Sequence, residues 1–480
     1  MGPFVAVALI VLATASAAFA QAASSGVVAS IDAKRSAYAE VALQIWKLAE
    51  VGYQETQSST LLQRGLRGAG FEVKAGVAEI PTAFVASFGS GKPVIAILGE
   101  FDALPGLSQQ AQPLREPVIA GAPGHGCGHH LFGTGSMAAA IAVKDWLIAN
   151  KRPGTIRFYG TPAEEGGAGK VYMLRAGLFD DVDAVIGWHP GDHNEASASS
   201  TLANINAKFR FHGLSAHAAA APDKGRSAVD GVLAMAHMVD MLREHVPQET
   251  RIHYVITNGG LAPNVVPDFA EIYMYARHND MAVLDGIWER IVKTAEGAAL
   301  GTGTKMDFEI MGAVYNVLSN DYLSSLQRKN LEKVGGVTYT PEENAFAEKL
   351  RTTLSPPMLP LGSQEKIVAT RGEVSSASTD TGDVSWKLPT VQLTAATWVP
   401  GTPAHSWQAV AAGGTQIGVK GMMVAAKTMA LTAIDLFSDP AHIQKARAEF
   451  EQKTAGHTYK SRIGDRKPPL DYRRTSSSGS

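Results

Sequence analysis

The order of apolar patterns along this chain leaves few folds open to it. Phe71 to Lys74, Ala83 to Phe88, Val94 to Leu98, Thr155 to Tyr159 and Ala184 to Trp188 read as short strands, with an alanine-rich helix over Phe132 to Ala149 between them. Two helical patterns precede them, Ile31 to Val51 and about Ser58 to Ala69. Strands bounded by Gly and Pro and alternating with helices predict an α/β sheet flanked by helices on both faces. From Asn204 the pattern changes. Asn204 to His212 alternates as a strand, Ala228 to His245 is an amphipathic helix, Ile252 to Thr257 and Ala270 to Ala276 are strands, Met281 to Ala298 is a helix and Met306 to Met311 a strand. That β-α-β-β-α-β order is the ferredoxin-like split unit. It predicts an inserted α+β domain over residues 203–315, inside a discontinuous α/β domain of residues 28–202 and 316–445. Val391 to Ala395 and Thr415 to Phe437 read as the returning strand and helix, and residues 340–378, broken by Pro356, Pro357 and Pro360, as loop. The tail, residues 460–480, is basic and then serine-rich and reads as disordered.

At 480 residues the chain exceeds one ordinary core. Its formal net charge of -2 offers no footprint for nucleic acid or an anionic membrane. Small molecules and a second copy of the chain remain as partners. Residues 1–20 read as a signal peptide: Phe4 to Ala13 is an apolar core, and Ala18-Phe19-Ala20 a small-x-small cleavage site. Export is expected, to a periplasmic space, with a mature chain starting near Gln21. The leader is short for a bilayer span and no later run reads as one, so no membrane span is expected after cleavage.

Four loop clusters near strand ends carry the chemistry. The first surrounds the only cysteine, in Gly124-His125-Gly126-Cys127-Gly128-His129-His130. A thiolate and an imidazole two residues apart on a glycine-rich turn can grip one metal centre. The others are Thr161-Pro162-Ala163-Glu164-Glu165-Gly166-Gly167, Gly187-Trp188-His189-Pro190 and Gly401-Thr402-Pro403-Ala404-His405-Ser406. Cys127, His129, Glu165, His189 and His405 are more ligands than one zinc needs, so two divalent ions sharing a bridging ligand are expected, zinc or manganese. Glu164, beside a metal-binding Glu165, is placed to act as general base on a metal-activated water. His125 and His130 read as turn or supporting residues. Glu164 and Glu165 have a plainer reading as helix-capping acids.

These motifs, Cys127-Gly128-His129, Pro162-Ala163-Glu164-Glu165-Gly166-Gly167, Trp188-His189-Pro190 and the late His405, resemble the dinuclear metal site of the aminoacylase and carboxypeptidase superfamily of amidohydrolases. Gly99-Glu100-Phe101-Asp102-Ala103-Leu104-Pro105-Gly106, Gly260-Leu261-Ala262-Pro263-Asn264-Val265-Val266-Pro267-Asp268 and Ser378-Thr379-Asp380-Thr381-Gly382-Asp383 are similar to its aminobenzoyl-glutamate utilization branch. The resemblance implies the metal ligands and base named above. It implies that His217, in Gly213-Leu214-Ser215-Ala216-His217-Ala218, reaches an active site, usually that of the partner chain, to stabilise an oxyanion. It implies that Asn264 and Arg277 hold the substrate and that Asp102 orients a ligand histidine. Two positions depart from relatives: His130 stands where auxin-conjugate hydrolases carry Asp, and Glu100 where many peptidases carry His, which gives Cys127 the bridging role. The implied activity is cleavage of the amide bond in N-acyl or N-aroyl amino acids such as p-aminobenzoyl-glutamate. The resemblance makes residues 203–315 a lid and dimerisation domain and the flanking domain the catalytic, metal-binding one; the implied assembly is a homodimer through the lid, or a pairing with a related partner subunit. Alternatives are a dipeptidase or aminopeptidase, an aromatic-amine deaminase, and a non-catalytic solute-binding protein.

Overall fold

A computed structural model describes residues 26–473 apart from 357, 358, 370, 371 and 373. The expected signal peptide lies outside the described residues. The larger unit is a seven-stranded sheet built from β1 (Glu72–Ala75), β2 (Phe84–Ser90), β3 (Val94–Gly99), β4 (Gly154–Gly160), β5 (Ala184–Gly191), β6 (Glu195–Ser197) and β11 (Thr390–Ala396). Its order is β1-β2-β4-β3-β5-β11-β6. The four central strands, β4, β3, β5 and β11, run parallel, and antiparallel pairings close both edges. Strand β3 is buried along its whole length, as a central parallel strand covered on both faces must be.

The helix His129–Ala149 packs close to β3, because its small residues let two backbones approach. A Cβ added at Gly133 would lie 2.7 Å from the carbonyl oxygen of Glu100. This helix and Gln416–Ser438 are both long and apolar enough to cross a membrane, contrary to the expectation that no such run exists. Both are mostly buried inside the fold, and their all-round apolarity is that of core helices.

The insertion consists of β7 (Ala203–His212), the helix Ala228–Arg243, β8 (Arg251–Asn258), β9 (Phe269–His278), the helix Met281–Thr302 and β10 (Lys305–Val314), in antiparallel sheet order β10-β7-β9-β8. Period-two alternation decides its faces. Ile205, Ala207, Phe209 and Phe211 on β7, with Ile272, Met274 and Ala276 on β9, are buried in the lid's core. Their neighbours Asn204, Asn206, Tyr273, Tyr275 and Arg277 point to the opposite face, where Tyr273 hydrogen-bonds both Asn206 and Tyr275.

Two further sequence expectations fail. Part of the stretch read as loop is a helix, Pro341–Arg351, which begins with a capping box: Thr340 accepts from the Glu343 amide, and Glu343 accepts from the Thr340 amide. The tail is also packed rather than disordered as far as Arg473. Ile463 is 4 % exposed, and Tyr459, Arg462, Arg466 and Tyr472 each bond to the body of the protein. Its lysines and prolines suggested a solvated chain, but its aromatic and arginine side chains find buried partners.

Candidate active site

The parallel strands bring four separated loops to one edge of the sheet, where ligands collect in α/β folds. Glu100 and Asp102 follow β3, Glu164 and Glu165 follow β4, His189 lies near the end of β5, and the loop after β11 carries His405. The glycine-rich turn delivers Cys127, and Gly128, at φ +77°, reverses the chain so that His129 starts the next helix. His405 adopts φ +58°, a strained conformation for a side-chain-bearing residue. Its amide bonds the Gly126 carbonyl at 2.9 Å, which ties the last loop to the cysteine turn.

All five expected ligands converge. The donor atoms of Cys127, His129 and His189 lie within 4.8 Å of one another, and so do those of Cys127, Glu165 and His405. The cysteine belongs to both sets, the position a bridging ligand must occupy. A third set joins Glu100, His129 and Glu164 by the same measure. Glu164 is therefore beside the ligands rather than serving as a remote helix cap.

The surroundings aim these groups. Asp102 Oδ1 lies 2.9 Å from His129 Nδ1, and Asp102 Oδ2 accepts from the Glu165 amide at 2.9 Å. One buried carboxylate thus orients two of the expected ligands and leaves His129 Nε2 available to a cation. His189 Nδ1 lies 2.7 Å from the Pro190 carbonyl, which turns its Nε2 toward Cys127 Sγ, 3.4 Å away. His125 and His130 do not enter the cluster. Each ring contacts a backbone carbonyl, of Ile45 and Gly413 respectively, and burial holds both well below the ordinary histidine value, His125 at about 4.

The donor set fits a pair of divalent cations. Among the described residues, Glu100 Oε2, His129 Nε2 and Glu165 Oε1 are buried without hydrogen-bond partners, although the first two lie 3.1 Å apart and Glu165 Oε1 lies 3.3 Å from His405 Nε2. Burial, then the charge of Glu165, pushes the Cys127 thiol up, and burial, then Glu100 and Glu165, raises Glu164 well above the carboxylate range. Burial also opposes charge on His129, but Cys127, Glu100 and Asp102 carry that ring well above its usual value. Such a concentration of buried acids calls for positive charge, and bound cations would invert this balance and hold the sulfur as thiolate.

Lys170 supplies one buried cation that the sequence did not reveal. Its Nζ lies 2.6 Å from both Glu100 Oε1 and Asp380 Oδ1, with all three side chains at most 1 % exposed. Asp380 was visible only as part of a motif. Lys170 stands in an apolar helix with no distinguishing spacing, so only the fold exposes its role.

A cavity of about 800 Å³ joins this basin to the polar face of the lid sheet and is lined by Cys127, Glu164, Glu165, His189 and His405 on one side and by Asn204, Asn206, Tyr275 and Arg277 on the other. Arg277 is therefore brought to the site. His217 and Asn264 are not among the residues lining that cavity. They sit on two exposed lid loops, after β7 and between β8 and β9, paired where the Ala218 amide bonds the Asn264 carbonyl, and His217 Nδ1 accepts from the amides of Ala219 and Ala220.

Residues 96–406 match the model of peptidase family M20/M25/M40. The chain belongs to this family. Among its M20 relatives, a p-aminobenzoyl-glutamate hydrolase subunit of Escherichia coli is 44% identical over 90% of this chain and 95% of that protein. The Xaa-Arg dipeptidase of Mus musculus is 30% identical over 85% and 88%. A dinuclear metal binding peptidase from the M20 family of Bacillus subtilis shares the fold, with a TM-score of 0.59 at 18% identity over 85% of this chain and 99% of that one. An aminobenzoyl-glutamate utilization protein from Klebsiella pneumoniae does so at a TM-score of 0.59 and 18% identity, over 84% and 97%. This M20 chain is an enzyme of the amidohydrolase and peptidase type.

Proposed function

We propose that this enzyme hydrolyses the amide bond of N-acyl or N-aroyl amino acids of the p-aminobenzoyl-glutamate kind. The observation that carries the reading is Cys127 shared between two ligand triads with Glu164 beside them. Cys127, His129 and His189 would hold one cation, and Cys127, Glu165 and His405 the other, zinc or manganese by their donor chemistry. When bound, such ions supply Lewis acidity that acidifies water and polarises a carbonyl. Glu164, as the carboxylate that bound cations would favour over its buried protonated form, takes the proton of the attacking water and delivers it to the leaving nitrogen. Arg277 offers a planar fork for the substrate carboxylate.

A second copy would complete the site. Strand β8 is a lid edge with Val255 and Ile256 exposed, and Leu214, Leu261 and Val265 near His217 are exposed as well. Covering this apolar edge with a partner gives His217 and Asn264 a route to the partner's cavity. The Escherichia coli relative is itself one subunit of its hydrolase. Another subunit of that hydrolase also matches this chain, at 27% identity, which supports pairing with a related chain in place of a second copy. The leader sequence supports export. The dipeptidase relative supports a second reading, peptide-bond cleavage before arginine, but a cavity presenting its own arginine suits an anionic substrate better.

The test is Glu164→Gln. Metal content is expected to match the wild type, while kcat on p-aminobenzoyl-glutamate falls by about 10²–10⁴. Full turnover in this variant, or in wild type stripped by a chelator, would remove the proposal. A panel adding dipeptides and aromatic amines separates the other readings.

A further inference from the structure

The C-terminal segment runs from the catalytic domain across the lid and back to the metal basin. Tyr459 donates to Asp383 and Tyr315 to the Lys460 carbonyl. Arg462 pairs with Asp285 on the lid, and Arg466 with Glu309 and the Met311 carbonyl of β10. Gln54 then donates to the Leu470 carbonyl at 2.7 Å, and Tyr472 packs edge-on against Tyr53. The segment ends at the site: Tyr472 Oη and Arg473 Nη2 both donate to the backbone carbonyl of Glu165, at 2.9 and 2.8 Å.

Anchoring that carbonyl uses only one of five N–H donors on Arg473. Its side chain lines the same cavity as Arg277. Among the described residues neither arginine has a carboxylate at ion-pair distance, and the Nε of each is buried without a partner. Each lies over a tyrosine ring, Arg473 over that of Tyr472 at 5.1 Å. Arg277 lies over the Tyr275 ring at 5.6 Å, and Tyr275 Oη is 3.1 Å from Tyr273 Oη. Burial and Tyr275 push the Tyr273 phenol up, against the opposing positive charge of Arg466 and Arg473. The cavity's acids are otherwise engaged: Glu164 and Glu165 lie among the expected metal donors, and Asp380 is neutralised by Lys170. The cavity thus presents two guanidiniums without carboxylate partners, Arg277 on the lid sheet and Arg473 beside the Glu165 carbonyl, a charge arrangement completed by a dianion.

We propose that Arg473 is a substrate-binding residue, and that it and Arg277 together select amides whose amino-acid half is a dicarboxylate, one guanidinium for each carboxylate. This rests on the amidohydrolase reading for the bond that is cut, and names the class of the part that is held. The C-terminal segment then serves as a specificity element, since it carries the second arginine to a cavity otherwise built by distant residues.

The experiment compares p-aminobenzoyl-glutamate with p-aminobenzoyl-glutamine, alike except for the second charge, on metal-loaded full-length protein. Arg473→Gln is expected to raise KM for the glutamate compound by about 10- to 100-fold, the worth of one charge-assisted hydrogen bond. KM for the glutamine compound should stay within about threefold. Arg473→Lys, which keeps the charge but loses the fork, should fall between, and serves if the glutamine variant does not fold. Tyr472→Phe removes the other bond to Glu165 and should leave the ratio of the two substrates unchanged. Equal loss of kcat on both compounds in the Arg473 variants would show a purely structural role and overturn the inference. Calorimetric binding of glutarate and butyrate separates this inference from the proposed reaction. Tighter glutarate binding that depends on Arg473, in a protein that cleaves no amide, keeps the inference and rejects the reaction. Cleavage of p-aminobenzoyl-glutamate with an unchanged ratio in Arg473→Gln does the reverse.

Discussion

The two walls of the cavity are built on opposite terms. On the sheet side the groups are tied to one another: Asp102 bonds His129 and the Glu165 amide, Lys170 pairs with two acids, and the Gly126 carbonyl fastens the His405 loop. On the lid side Arg277 has no ion pair among the described residues, and His217 and Asn264 stand exposed on two loops outside the cavity. The contrast follows from the tasks. Chemistry needs donors fixed before substrate arrives, because reorganisation at the moment of reaction costs rate. Selection needs groups whose partners arrive with the substrate or with a second chain.

The sharpest way to break this contrast is to loosen the rigid wall. Lys170→Met keeps the shape of the side chain but leaves Glu100 and Asp380 buried without their cation. Burial already raises both carboxyls, against the opposing charge of Lys170. Removing one partner of a buried ion pair costs about 3–5 kcal/mol. A denaturant melt of the metal-free protein should show a loss of that size. A melt that matches the wild type would mean that the basin is not held by this charge.

The open wall is tested by complementation. His217→Ala should lower kcat by about 10²–10³ if the ring stabilises an oxyanion. Mixing inactive His217→Ala with inactive Glu164→Gln should restore part of the activity after the chains exchange, since one hybrid site then has both groups intact. No recovery in verified mixed dimers would count against a histidine supplied by the partner.

This contrast also governs what could be read before the fold was known. The ligand loops were legible because each couples an apolar strand to a short polar cluster, and the strand pattern told where the cluster must go. The lid's order of strands and helices was legible from period alone. Lys170 was not, because a single lysine in an apolar helix has no sequence signature until Glu100 and Asp380 are brought beside it. Arg473 was hidden for a different reason. The proline and serine content of the tail outweighed Tyr459 and Tyr472, whose partners are distant in the chain: Asp383 lies 76 residues from the first and Glu165 lies 307 from the second. Composition reports the average tendency of a segment, whereas docking depends on a few side chains.

A milder perturbation of the rigid wall is Asp102→Asn. The amide can still accept from one of its two partners but presents its NH₂ to the other. Metal affinity should drop by about 10- to 100-fold, as for other residues that orient ligands. Competition with a chromophoric chelator reads this directly, and unchanged affinity would show that His129 and Glu165 are held without Asp102.

The smallest expected effect lies where the rigid wall meets solvent. His193 sits between Asp192, 2.7 Å from its Nδ1, and Glu195, 3.2 Å from its Nε2, with its side chain 29% exposed. Asp192 in turn accepts from the Gly401 amide at 3.0 Å, so the pair steadies the loop that carries His405. Hydrogen bonds to Asp192 and Glu195 raise His193 from 6.5 to about 9. The folded state therefore binds the proton more tightly than the unfolded chain. Its stabilisation is complete below pH 6.5 and disappears as pH rises through about 9. Solvent screening keeps the contribution to about 1 kcal/mol. The difference in melting temperature between wild type and His193→Gln should shrink steadily across that window. A difference that stays constant from about pH 6 to about pH 9.5 would show that the ring carries no charge of its own into the fold, and that the Gly401 loop is held by Asp192 alone.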